Sequence, residues 1–165
     1  MDKQKLQILG LKNSTITSYE GKEGVKTITR NSLNAKDNLY ICEMSLASLN
    51  EIFSEQEAEN IRKEFLAKNT KIKEITNQVY HEYTDIKEFD EKCMEIRYLS
   101  SDKFDIKTEY LIYNDIVAFY SYKDEFFAVE IKNAKFAQTQ LNIFKLLWNQ
   151  AERPIIGRGG RSSIF

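Results

Sequence analysis

The sequence predicts an α/β sandwich on a mixed sheet, with a C-terminal β-meander followed by a long helix. Three observations predict it. Between Ile16 and Tyr98, short apolar runs alternate with stretches of helical period. From Glu109 to Asn133 the pattern becomes period-two or wholly apolar. A wide amphipathic stretch over about 133–151 follows. Strands alternating with helices call for helices packed on a sheet, and hairpin-linked strands make part of that sheet antiparallel.

The elements follow in order. Ile16–Tyr19 reads as a short strand that turns at Gly21 and Gly24, where glycine permits positive φ and close packing. Val25, Ile28, Ser32 and Ala35 recur at helical spacing, which predicts a helix over about 22–36. Leu39–Cys42 reads as a buried strand, and its exit at Glu43 leads into a small helical piece with Leu46, Leu49 and Phe53 on one side. Ser54-Glu55-Gln56-Glu57 is a capping box: the Ser54 hydroxyl accepts from the amide three residues on, and Glu57 reaches back. Ala58, Ile61 and Phe65 form the stripe of that helix, with Asn69 as its stop.

Thr70–Thr76 predicts a strand. Thr84 is placed to cap a helix whose Ile86, Phe89 and Cys93 share a face, and Ile96 and Tyr98 mark a further strand. EYLIY, IVAFYSY and FFAVEI, joined at Asn114-Asp115 and at Lys123-Asp124-Glu125, give three antiparallel strands. In the last helix Phe136, Gln140, Ile143, Phe144, Leu147 and Trp148 make a wide face for burial against the sheet, and Pro154 ends it. The remaining RPIIGRGGRSSIF shows no period, carries three of the six glycines and sets Arg153, Arg158 and Arg161 against Glu152, so it reads as a flexible basic tail.

Composition bounds the function. The 165 residues suit one domain, at about 100–200 residues each. With 42 % hydrophobic and 30 % charged residues and a single proline, the chain is a globular protein and no collagen-like or disordered one. Lys and Arg at 24 against Asp and Glu at 25 leave a net charge of −1, so no global field draws it to nucleic acid or an anionic membrane. Cys42 and Cys93 have no metal-ligand neighbours and read as buried free thiols, which suits a cytoplasmic address. Neither a signal peptide nor a membrane span is legible.

Nucleophiles are scarce. His81 is the single histidine and, beside Glu82 alone, reads as a loop or helix-edge residue. No HExxH, GxSxG, Walker A or CxxC motif occurs, and no metal or cofactor is expected. The carboxylates of KEFDEKCME read as a solvated face. Gly21-Lys22-Glu23-Gly24 and Gly157-Arg158-Gly159-Gly160 have the GxxG form that clamps single-stranded RNA, but the first carries a glutamate where the backbone would lie. The second leaves no room for a following helix within the sequence.

The segments ITSYEGKEGVKTI, NLYICEM, KIKEITN, EIRYL and LIYNDIVAFYS…FFAVEIKN…FKLLWNQA resemble, in order and spacing, the effector domain of TrmB-like transcription regulators. That resemblance spans roughly Ile16 to Ala151 and implies a phospholipase D-like α/β/α sandwich. It divides the chain into an N-terminal extension (1–15), an effector domain (16–151) and the tail (152–165). Active phospholipase D-like enzymes carry His-x-Lys-x-x-x-x-Asp on the corresponding hairpin, with the histidine as covalent nucleophile and the lysine on the phosphate. Here Thr108 stands at the histidine position and Tyr110 at the lysine position, while Asp115 matches and also suits a turn. Ser121-Tyr122-Lys123 replaces the Gly-Ser and Asn that follow in active members. The resemblance therefore implies a non-catalytic module.

KLQILGLKN resembles the opening of the winged helix that precedes this domain in the family, and the rest of that domain is not seen, so DNA binding is not carried over. A homodimer, a small-molecule ligand and a separate DNA-binding partner subunit are the partners implied. Ligands of open α/β sheets bind beyond the carboxyl ends of the parallel strands, which points to Glu43, Asn77 and Arg97, joined by Thr108, Tyr110 and Asp115 if the resemblance holds. Glu43 equally suits the cap of the following helix, and Arg97 the surface of an amphipathic strand. Two alternatives are a phosphodiesterase or nuclease with a rearranged site using His81, and nucleic-acid association through the basic tail.

Overall fold

The computed structural model describes residues 12–43, 51–82, 84–122 and 126–157. Its strands are β1 (Thr15–Glu20), β2 (Asn38–Glu43), β3 (Lys71–Thr76), β4 (Tyr80–Glu82), β5 (Met94–Tyr98), β6 (Glu109–Tyr113), β7 (Ile116–Ser121), β8 (Phe127–Lys132) and β9 (Ile155–Gly157). Its helices are α1 (Gly21–Ser32), α2 (Glu55–Lys68), α3 (Lys87–Cys93) and α4 (Ala134–Gln150). Seven strands form one mixed sheet in the order β1-β8-β7-β6-β2-β3-β5. The β2, β3 and β5 strands run parallel, and the meander β6-β7-β8 continues antiparallel to β1 at the far edge.

Side chains alternate across a strand, so one sheet serves two cores. Leu39, Ile72, Leu111, Ala118 and Tyr120 face α1, α2 and α3, where Val25, Ile28, Phe65 and Phe89 meet them. Cys42, Ile75, Ile112 and Val117 face the other way onto Ala137, Phe144 and Trp148 of α4. Both free cysteines are buried, and desolvation pushes the Cys42 thiol up to about 12. Among the described residues no helix is long and apolar enough to cross a membrane.

Local chemistry sets the boundaries. Ser54 Oγ accepts from the Glu57 amide and the Glu57 carboxylate accepts from the Ser54 amide, which completes the capping box of α2. Asn69 ends that helix in the left-handed region at φ 52°. Gly21 turns the chain from β1 into α1 at φ +63°, and a Cβ on Gly24 would lie 2.8 Å from the Tyr19 Cβ. The Asn114-Asp115 turn joins β6 to β7, and the Asn114 side chain accepts from the Lys36 amide and donates to the Asn34 carbonyl. That contact holds the loop between α1 and β2.

Several expectations are corrected. The first helix stops at Ser32 rather than near residue 36, because Leu33, Asn34 and Ala35 tighten into three-residue turns that redirect the chain into β2. Ile86, not Thr84, holds the cap position of α3; the Thr84 hydroxyl instead accepts from the Ile86 amide and donates to Asp90. α4 ends at Gln150, ahead of Pro154, and Ile143 is 42 % exposed, because α4 buries a narrower stripe through Ala137, Phe144 and Trp148. His81 and part of the tail are strand: Tyr80–Glu82 pairs in parallel with Ile155–Gly157. The helical piece containing Leu46 and Leu49 lies outside the described residues.

Candidate functional site

Between the sheet and helices α1, α2 and α3 lies a cavity of about 140 Å³. Its floor comes from four neighbouring strands: Leu39, Ile41 and Glu43 of β2, Ile72 and Glu74 of β3, Glu109 and Leu111 of β6, and Tyr120 of β7. The roof is the α2 stripe of Ala58, Ile61, Arg62 and Phe65, with Phe89 and Asp90 of α3 closing one side. The walls are mostly aliphatic and aromatic, yet three glutamates and an aspartate face inward. Glu43, Glu74 and Asp90 are 4 %, 4 % and 5 % exposed, and Glu109 is 1 % exposed.

The alternation of β2 and β3 explains the convergence. Ile41 pairs with Glu74 in parallel register, so Glu43 and Glu74 fall on the same face one step apart. The Cys42↔Tyr110 pairing of β2 with β6 brings Glu109 to that same end of the sheet.

Glu43 and Glu74 are hydrogen-bonded to one another, which requires a proton between them because two carboxylates have no donor. Burial and the neighbouring Glu74 hold the Glu43 carboxyl well above its usual range. Burial pushes Glu74 up to about 7, with Glu109 adding to the rise. Burial also raises Asp90, against the lowering influence of Thr84 and Arg62. One oxygen each of Glu43, Glu74 and Asp90 lies buried with no hydrogen-bond partner among the described residues. Tyr120 is hydrogen-bonded to Glu109. The described residues contain no group of three or more His, Cys, Asp or Glu side chains that could hold a metal ion.

Of the residues expected at the site, Glu43 is in the cavity. Asn77 stands at the same rim, just past β3, but its side chain ties a loop: it donates to the Leu99 and Phe104 carbonyls and accepts from the Ile106 amide. Arg97 donates to the Trp148 carbonyl at 2.9 Å and lies 4.4 Å over the Trp148 ring. Thr108 is half-buried just before β6, at that rim too. Tyr110 points to the opposite face, stacked on Phe119 at 5.8 Å. Asp115 lies at the other end of β6, exposed in the hairpin turn, where its carbonyl accepts from the Asn133 amide. The six therefore do not form one pocket.

Sequence reasoning missed Glu74, Asp90, Glu109 and Arg62. The run KEFDEKC is not wholly a solvated face, since its Asp90 is buried. The available signal was an acidic residue recurring on one face of three predicted central strands.

No family model and no curated protein matches the chain. Solved structures do. TrmBL2, an archaeal chromatin protein with a novel mode of DNA binding, superposes with a TM-score of 0.56 at 14 % identity, over 88 % of this chain and 56 % of that one. The chain thus spans little more than half of the chromatin protein. Nuc from Salmonella typhimurium, a phospholipase D family member, gives 0.58 at 17 % identity over 84 % of this chain and 97 % of its own. NucT from Helicobacter pylori gives 0.59 at 9 % identity over 85 % and 99 %. The chain has a phospholipase D-like fold, similar to the folds of these three structures.

Proposed function

We propose that this chain is a non-catalytic regulatory module that senses a ligand and self-associates, in the manner of the effector domain of TrmB-like transcription regulators. The observation that carries the reading is at β6. By the resemblance, Thr108 and Tyr110 stand where the phospholipase D-like motif needs histidine and lysine, and the Tyr110 ring is packed on Phe119 in a core. A threonine hydroxyl is a weak nucleophile unless a base activates it, and a tyrosine whose proton is held more tightly by burial supplies no cation for phosphate. The acid-lined cavity on the other face supports the same reading, because buried carboxylates repel a phosphodiester.

A homodimer and a separate DNA-binding subunit belong to this proposal, as does a ligand site that includes Glu43. The domain division at residues 16 and 151 belongs to it as well. The competing reading, a phosphodiesterase with a rearranged site, is favoured by the likeness to Nuc and NucT and requires His81, which sits in the two-stranded β4–β9 sheet apart from the β6–β7 hairpin. Nucleic-acid association through the tail rests on Arg158 and Arg161, which lie outside the described residues.

Incubation of the full chain with bis(p-nitrophenyl) phosphate and with linear DNA tests the choice. No turnover above buffer is expected. Turnover that is abolished by His81→Ala would overturn the regulatory reading. Sizing at micromolar concentration is expected to give a dimer, and a monomer would remove self-association from the proposal.

A further inference from the structure

The cavity holds more acid than its own walls neutralise. Glu43, Glu74 and Asp90 face it and, among the described residues that line it, Arg62 is the one guanidinium, its charge acting on Glu43 and Asp90, while Glu109 is already bonded to Tyr120. A buried carboxylate is costly to charge unless a donor or cation meets it. Elsewhere on this sheet the chain provides such donors. Here Glu43, Glu74 and Asp90, all more than nine-tenths buried, line the cavity, and one oxygen of each has no hydrogen-bond partner among the described residues. Most of the remaining wall, including Leu39, Ile41, Phe53, Phe65 and Phe89, is apolar, with hydroxyls of Thr29, Ser32, Thr84 and Tyr120 among it. At about 140 Å³ the space approaches the roughly 150 Å³ cavity that accepts benzene.

We propose that this cavity binds a small organic cation, an ammonium group on a compact apolar body, with Glu43, Glu74 and Asp90 receiving the charge and the apolar wall receiving the body. The proposal rests on the ligand-sensing reading above and names its ligand class. A metal ion is the poorer fit, since these side chains form no group suited to chelate one. An anion meets repulsion from three strands and α3.

Binding has a definite proton balance. In the free protein the Glu43–Glu74 pair shares a proton, and an arriving N–H donor replaces the hydrogen bond that this proton supplies. The proton then leaves to solvent while the cation supplies the charge. The groups around the pair are Arg62 on α2, Asp90 on α3, Glu109 on β6, Tyr120 on β7 and Tyr122 just past it, with Glu51 nearby in the sequence ahead of α2. With Glu74 titrating near 7, its loss of a proton raises affinity for an ammonium ligand about tenfold between pH 6 and pH 8.

The test is calorimetric titration of the full chain with benzylammonium, benzyl alcohol and benzoate, three ligands of one shape and different charge. Saturable binding of benzylammonium is expected, at least tenfold tighter than benzyl alcohol, with benzoate silent and the affinity rising with pH. Glu74→Gln, near-isosteric, is expected to weaken it tenfold or more with the unfolding transition kept. Should that variant fail to fold, Arg62→Gln serves instead: removing the competing cation tightens binding several-fold. Equal binding of the alcohol, binding of benzoate, affinity unchanged by Arg62→Gln, or no saturable binding of benzylammonium each overturns the cation assignment. Binding of the alcohol or benzoate would still leave a sensing module, whereas phosphodiester turnover overturns that reading whatever the amine does.

Discussion

Glu130 on β8 and the Glu43–Glu74 pair on β2 and β3 lie on the same face of one sheet, separated by β7 and β6. Around Glu130 the chain supplies every donor. Tyr19 and Asn31 donate to Oε2 at 2.7 and 2.9 Å, and Tyr113 donates to Oε1 at 2.7 Å. Around Glu43 and Glu74 the only bond between the two is one that needs a retained proton. The first arrangement joins α1, β1, β6 and β8 and gives both carboxylate oxygens a donor from the chain. The second keeps its capacity facing a cavity. Burial of a carboxylate is thus not the informative fact; the supply of donors is.

Four measurements bear on that contrast. Glu130→Ala leaves Tyr19, Tyr113 and Asn31 without their acceptor and should cost about 3 kcal/mol in urea unfolding, since each buried orphan costs roughly 1–3 kcal/mol. A loss under about 1 kcal/mol would erase the distinction. Tyr113→Phe removes one donor to the same carboxylate and should cost about 2 kcal/mol.

The pair predicts the opposite pH behaviour from a paired carboxylate. Glu74 rises from 4.5 in the unfolded chain to about 7 in the fold, so the folded state holds the extra proton between those values. Its contribution to stability is complete below about 4.5 and is lost as pH rises through 7, for a fall on the order of 3 kcal/mol. Glu74→Gln should flatten that part of the stability profile, and a slope unaltered in the variant would place the titration elsewhere. The smallest effect belongs to the exposed capping box, where Ser54→Ala should cost about 1 kcal/mol without changing the profile near pH 7.

Much of this was legible where local chemistry decides. Ser54-x-x-Glu57 and Asn69 mark both ends of α2, and Asn114-Asp115 marks the β6–β7 turn, because each motif satisfies backbone groups within a few residues. The cavity was legible only at Glu43. In KIKEIT, Glu74 reads as the solvent side of a half-exposed strand; β3 lies between β2 and β5, and Glu74 falls on the face that α2 and α3 cover, so it has no solvent to meet although Lys71 at the start of the strand does. Asp90 in KEFDEKC was hidden for a related reason, since helical period does not say which turn of a short helix docks. The β4–β9 pairing joins segments of three residues far apart in sequence, and no local pattern announces such a partner. Tyr110 was read as a pocket residue from a motif alignment, whereas the pleat turns it toward Phe119.

The position of β1 carries a consequence for how the chain folds. Thr15 pairs with Lys132 and Glu20 with Phe127, so the first described strand has its only sheet partner in the eighth. During synthesis β1 and α1 emerge early, yet the strand that completes their hydrogen bonds is made more than a hundred residues later. Until then β1 has no ladder, and the α1 face that packs on β8 is open to water. The parallel core of β2, β3 and β5 can pair in order as it appears. Closure of the sheet by β1 is therefore a long-range pairing, of the kind that slows folding.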